Sequence, residues 1–322
     1  MYDLDRPVGV GGWSITCQAK VVFAKLNARR DFLACVTVSE EGNEILICRF
    51  CKDAWVPCSR VSCVDVSCMA WSPNDVLAMG SNRGELQVVF RCGEDDSREG
   101  GGWSSVRRAF VRPGRRVAAI EFAPRCCGMK LAFACSDGRV LVLEPELEFQ
   151  PETWRVVGAL PTRGGVEVTC LSWRSSAWDD PEAIAVGGDF GVSVFAKCGE
   201  ANWALAGEKL ESQPVRSVSW APQLGKTHDK IAVGSGNETI VWRVHANESG
   251  EYDTPLEFSL EKMLPCGKPV LSVEWNGGGF RLAVKCGVDD IRVWEELPDG
   301  AWVCDTKLEG GRKGLREAGN QM

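Results

Sequence analysis

The sequence predicts an all-β protein, a six-bladed β-propeller. Three observations carry that expectation. A short apolar strand ending on an aromatic residue recurs about every fifty residues. The same order of three further strands follows each copy. No helical periodicity competes with them for residues 17 to 308.

The first strand of each repeat reads Val66-Ser-Cys-Met-Ala-Trp71, Val117-Ala-Ala-Ile-Glu-Phe122, Val168-Thr-Cys-Leu-Ser-Trp173, Val215-Arg-Ser-Val-Ser-Trp220 and Val270-Leu-Ser-Val-Glu-Trp275. A degenerate first copy ends at Phe23, so the anchors are spaced by 48, 51, 51, 47 and 55 residues. That is the length of a four-stranded propeller blade with long loops. The second strand is apolar and small, as in Leu77-Ala-Met-Gly80, Ile184-Ala-Val-Gly187 and Leu282-Ala-Val-Lys285. A turn rich in Gly, Asp or Asn follows, as in Asn82-Arg-Gly84, Asp137-Gly138 and Gly236-Asn237, and supplies the positive φ of a tight hairpin. The third strand alternates, as in Val140 to Leu143, and the fourth opens on Trp55, Trp103, Trp154, Trp203 or Trp302. Aromatics that fall at one fixed point of every repeat fill the space between blades, so Trp71, Phe122, Trp173, Trp220 and Trp275 are read as structural core and not as base-stacking groups.

Composition narrows the function. The chain has 322 residues, 44% of them hydrophobic, and a net charge of −7, which opposes binding to nucleic-acid phosphate or anionic lipid. The N-terminus has no basic segment leading into an apolar run, and nowhere are about 18 apolar residues consecutive. No nucleic-acid partner and no membrane insertion are expected. Sixteen cysteines without a signal peptide are expected to stay reduced and pack as small hydrophobes, Cys35, Cys135 and Cys170 among them. Cys48 and Cys51 form the one Cys-x-x-Cys, with no second ligand pair for a structural metal.

No motif of a nucleophile, phosphate loop or zinc protease is present, so no enzyme, cofactor or metal is expected. The histidines, His228 and His245, read as solvated residues of separate loops. Arg107, Arg108, Arg112, Arg115 and Arg116 follow an acidic loop, Glu94 to Glu99, and read as a self-compensating edge, with an acidic-partner or nucleic-acid contact as the alternative. Residues 1–16 form an N-terminal extension, 17–308 the propeller, and 309–322 a Gly-rich charged tail read as disordered.

Phe122 to Pro145 with its spacer to Trp154, Val215 to Val244 with the turn Trp220-Ala-Pro-Gln-Leu-Gly225, and the last blade with Trp294 and Asp299 to Cys304 resemble the Seh-type (Sec-thirteen-homologue) nucleoporins, a family of WD-repeat propellers. The last blade is also similar to the paralogue Sec-thirteen. No Gly-His dipeptide occurs and no third strand closes on Trp-Asp, so the hydrogen-bond network usual within WD blades is largely missing. The resemblance implies a structural scaffold subunit of the nuclear pore's Y-shaped outer-ring complex at the nuclear envelope. It also implies sharing with a nutrient-signalling complex at the vacuole or lysosome. Its partners would be other outer-ring nucleoporins and a helical-solenoid nucleoporin that donates a blade. The alternatives are a Sec-thirteen-like coat protein of vesicles leaving the endoplasmic reticulum and a peptide-reading propeller adaptor.

The residues add that the ring is open. The last blade has four strands of its own, and the segment Val8 to Ile15, with three glycines, makes a poor closing strand. Val21, Val22 and Phe23 on blade 1 and Val270, Leu271 and Val273 on blade 6 are the expected partner-binding edges.

Overall fold

The computed structural model describes residues 20–39, 42–63, 65–91, 102–110, 114–147, 150, 153–175, 182–199, 202–222, 228–245 and 256–309. They form six four-stranded antiparallel sheets, each strand paired with the next in sequence. Blade 1 holds β1 (Lys20–Leu26), β2 (Phe32–Ser39), β3 (Gly42–Cys51) and β4 (Ala54–Cys63). Blade 2 holds β5 (Val66–Trp71), β6 (Leu77–Ser81), β7 (Glu85–Arg91) and β8 (Trp103–Ala109). In blade 3 these are β9 (Val117–Phe122), β10 (Leu131–Cys135), β11 (Val140–Pro145) and β12 (Trp154–Leu160). Blade 4 follows with β13 (Val168–Trp173), β14 (Ala183–Gly188), β15 (Gly191–Cys198) and β16 (Asn202–Lys209). Blade 5 comprises β17 (Val215–Trp220), β18 (Asp229–Ser235), β19 (Glu238–His245) and β20 (Glu257–Pro265). Blade 6 closes the order with β21 (Val270–Trp275), β22 (Arg281–Cys286), β23 (Asp290–Glu296) and β24 (Trp302–Glu309). Among the described residues the one helical turn is a 3-10 turn at Arg125–Cys127, and no helix is long and apolar enough to cross a membrane. The segment 8–15 and residues 310–322 lie outside the described residues, and Glu309, assigned above to the tail, ends β24.

Each inner strand carries a β-bulge just after its first valine, between Val21 and Phe23, Val66 and Cys68, Val168 and Cys170, Val215 and Ser217, and Val270 and Ser272, with the same shift at Val117. Five residues on, the anchor pairs with a Leu or Ile near the start of the second strand: Trp71 with Leu77, Phe122 with Leu131, Trp173 with Ile184, Trp220 with Ile231 and Trp275 with Leu282. In blade 1 the residue in that register is Leu26, paired with Leu33. Phe23 is therefore not the anchor. It occupies the place that Cys68, Ala119, Cys170, Ser217 and Ser272 hold elsewhere, and a search keyed on aromatics was drawn to it because blade 1 has lost its own.

The anchors join the blade radially. Trp71 and Trp103, Phe122 and Trp154, Trp173 and Trp203, and Trp275 and Trp302 meet edge to face within single blades at 5.9–6.2 Å. Phe122, Trp173, Trp220 and Trp275 are buried and Trp71 is half-buried. Three of them also join blade to blade through an indole N–H that donates to the preceding inner strand: Trp71 to Lys25 O at 2.9 Å, Trp173 to Glu121 O at 3.0 Å and Trp275 to Ser219 O at 3.0 Å. The hairpin glycines Gly84, Gly138 and Gly236 have φ of 86°, 92° and 56°, as the turn sequences require.

Candidate partner interface

One position of the second strand decides how closely a blade accepts the next. It is Val36, Gly80, Ala134, Gly187, Gly234 and Lys285 in blades 1 to 6. A Cβ on Gly80, Gly187 or Gly234 would lie 2.5–2.7 Å from a methyl of Val117, Val215 or Val270, the first valine of the following blade. The absent side chain is what lets that valine seat. Buried clusters bridge blades 1–2, 2–3, 3–4, 4–5 and 5–6, and in the first and third of these Val36 and Ala134 stand in place of the glycine, packed in one cluster with Val66 and Val168 respectively. None of the clusters among the described residues combines blade 6 with blade 1.

Blade 6 turns a different face outward. Strand pairing puts Glu274, Ala283 and Val293 on one row and Ser272, Lys285 and Ile291 on the next, all away from blade 5. Lys285 holds the position of the seating glycine, and a charged four-carbon chain there leaves no socket for a blade-type valine. Glu274 stands where Glu121 of blade 3 accepts Trp173 N–H at 3.2 Å and Ser172 of blade 4 accepts Trp220 N–H at 3.0 Å. In blade 1 the face directed away from blade 2 holds Cys35, Leu46 and Cys48, all buried, with Val21, Leu33 and Trp55 packed against them.

The six edge residues named from the sequence divide across these faces. Val21 belongs to the face of blade 1 directed away from blade 2, Val22 is 42% exposed, and Phe23 packs on the blade 1–2 core. Leu271 is 46% exposed, but Val270 and Val273 are buried in the blade 5–6 core, against Gly234. Sequence alone did not separate the two sides of β21, because the bulge reverses the alternation that sidedness is read from. The outward face of blade 6 also carries Lys285, Ile291 and Val293, which the sequence reading did not single out although the break in the Leu-Ala-Val-Gly pattern at Lys285 was visible.

Near the hub, burial pushes the Glu121 carboxyl up to about 7, reinforced by Glu274 and opposed by Lys25 and by the Trp173 hydrogen bond. The histidines are not in unrelated loops: the rings of His228 and His245 lie 5.9 Å apart at one end of blade 5. His228 is half-buried and its pKa is lowered by burial, with Arg243 and Lys230 adding to the shift, while His245 is exposed and meets Ser259 Oγ at 3.0 Å. Of the arginines, Arg107 donates to Ser62 O of blade 1, Arg108 to Trp154 O of blade 3, and Arg116 pairs with Glu167 of blade 4. Arg112 and the acidic loop 94–99 lie outside the described residues. Burial raises the Cys135 and Cys170 thiols to about 12, which keeps them protonated and unreactive.

Six four-stranded blades built to one register, each packed on the next from blade 1 to blade 6, define a WD-repeat-type propeller. The chain is similar to a chain in the crystal structure of the Mitotic Checkpoint Complex, with a TM-score of 0.59 and 16% identity over 88% of this chain and 76% of that one, a likeness of fold. No family model matches. Its similar relatives include the Drosophila melanogaster protein SEC13 homolog (28% identity, 58% of this chain, 54% of the relative) and the SEC13 transport protein of Mycosarcoma maydis (29%, 65% and 65%). They also include nucleoporin seh1 of Drosophila melanogaster (26%, 65% and 61%). The alignments therefore span less than two thirds of each of these relatives, and the particular proteins this propeller resembles are the Seh1 nucleoporin and SEC13.

Proposed function

We propose that this chain is a non-enzymatic scaffold subunit of the nuclear pore outer-ring complex, and that a helical-solenoid nucleoporin docks between blades 6 and 1 and completes the ring. The observation that carries the reading is Lys285, which replaces the seating glycine on the one blade that would have to receive blade 1. A strand set added from a partner pairs its backbone with the exposed edges and needs no such socket. Residence at the nuclear pore, and sharing with a vacuolar or lysosomal nutrient-signalling complex, belong to the same reading.

A second reading, a SEC13-like coat subunit of transport vesicles, is favoured by the SEC13 names among the relatives of highest identity given above. Purification of the tagged full chain from native extract, with the bound proteins identified, separates the two. Outer-ring nucleoporins in stoichiometric yield are expected. Vesicle-coat subunits alone would transfer the assignment to the second reading, and neither set would overturn both.

A further inference from the structure

Two blade interfaces use the same positions with different charges. In blade 5, Lys230 is 3% exposed and its Nζ is held by Glu261 Oε1 at 2.5 Å and by Glu296 of blade 6. Glu261 is the extra residue of the bulge between β19 and β20, and Arg243 Nε lies 2.7 Å from its other oxygen. Two cations and two carboxylates fill the space and balance.

Blade 3 places Lys130 where blade 5 has Lys230, but the bulge residue of β12 is Val157, not a glutamate. Lys130 instead reaches Glu182 of blade 4, and Lys197 Nζ lies 3.1 Å from the same Oε1. One carboxylate oxygen serves two ammonium groups. Glu182 Oε2 is buried with no hydrogen-bond partner among the described residues. Beside this trio a cavity of about 380 Å³ opens between blades 3 and 4, walled by Val142, Val156, Val157 and Trp203 and edged by the Arg155–Glu144 pair at 2.7 Å.

We propose that this cavity binds an acidic short linear peptide of a partner protein. The peptide carboxylate takes the role that Glu261 plays in blade 5 and bridges Lys130 and Lys197. A peptide N–H donates to Glu182 Oε2, and a neighbouring apolar side chain lies on Val156, Val157 and Trp203. The need for an anion, an N–H donor and an apolar group together favours a peptide over a free dicarboxylate. The volume suits it, since ligand pockets run to roughly 300–1,000 Å³. The site lies away from the edges of blades 1 and 6, so it stands or falls separately from the ring-completion reading.

The test is selection of a random short-peptide display library on the full chain, followed by fluorescence-polarisation titration of the selected peptides. Enrichment of Asp or Glu beside Leu, Val or Phe is expected. Glu→Gln in the peptide, Lys197→Gln, or Val157→Glu, which builds the blade 5 arrangement into blade 3, should each weaken binding about tenfold or more. Lys197→Gln serves where Val157→Glu fails to fold. Selected peptides that lack an acid, or that bind both variants as well as the parent, would overturn the proposal. Displacement of the peptide by succinate at equal concentration would do so too, by reassigning the site to a free dicarboxylate.

Discussion

The inner blades and the two end blades are built to one register but to different surfaces. Blades 2, 4 and 5 present glycine to the first valine of the next blade, and blade 3 presents Ala134. Blade 1 presents Val36 to its neighbour, and blade 6 carries Lys285 at this position. The anchors do not divide in this way: Leu26 of blade 1 is 43% exposed and Trp71 of blade 2 half-buried, whereas Phe122, Trp173, Trp220 and Trp275 of blades 3 to 6 are buried. The lesson is that a repeat protein reveals its interfaces where the repeat is broken, because internal positions answer to the next blade and end positions do not.

The sharpest test of this contrast is truncation of an inner anchor. Trp173→Ala and Trp220→Ala should each cost about 3–5 kcal/mol in chemical denaturation of the full chain, the price of an unfilled aromatic site. Melting of either variant at the parental midpoint would mean that the inner blades are not held this way. Next in size is Gly234→Val, whose Cβ would sit 2.5 Å from Val270 Cγ1. Overpacking there should cost about 1–3 kcal/mol. At the equivalent point of blade 6, Lys285→Val should change stability by no more than about 0.5 kcal/mol in the chain alone. Equal losses at the two positions would erase the distinction between inner and end blades.

A smaller effect comes from the hub. Glu121, with a folded pKa of about 7 against an ordinary 4.5, holds its proton in the native state where the unfolded chain has released it. Its contribution therefore favours the native state at low pH and is lost as pH rises from 4.5 through 7. Glu121→Gln should flatten that slope in denaturation midpoints measured across this window. Glu274→Gln removes only the smallest contribution to that shift and should flatten the slope far less than Glu121→Gln does.

Much of this architecture was legible because it repeats. The Val-to-Trp inner strands, the Ala-x-Gly second strands and the outer tryptophans each recur at one register, and packing between blades demands it. Blade 1 was misread at Phe23 because its anchor is a leucine, and aliphatic residues do not stand out in an apolar strand. The two sides of β21 were not separable for want of the bulge position. The cavity between blades 3 and 4 was beyond reach, since it depends on which residue of β12 is extra and on a lysine of one blade meeting a glutamate 52 residues away. His228 and His245 are similarly brought together by strand pairing that their spacing does not display.

The most direct test of the central reading is hydrogen–deuterium exchange of the full chain, alone and co-expressed with a helical-solenoid nucleoporin. The account predicts that amides of β1, β22 and β23 exchange faster than those of β14 and β18 in the chain alone. In the complex those three strands should gain protection while β14 and β18 stay unchanged. Protection of β1 and β22 already equal to that of β14 in the isolated chain, and unaltered by the partner, would contradict it.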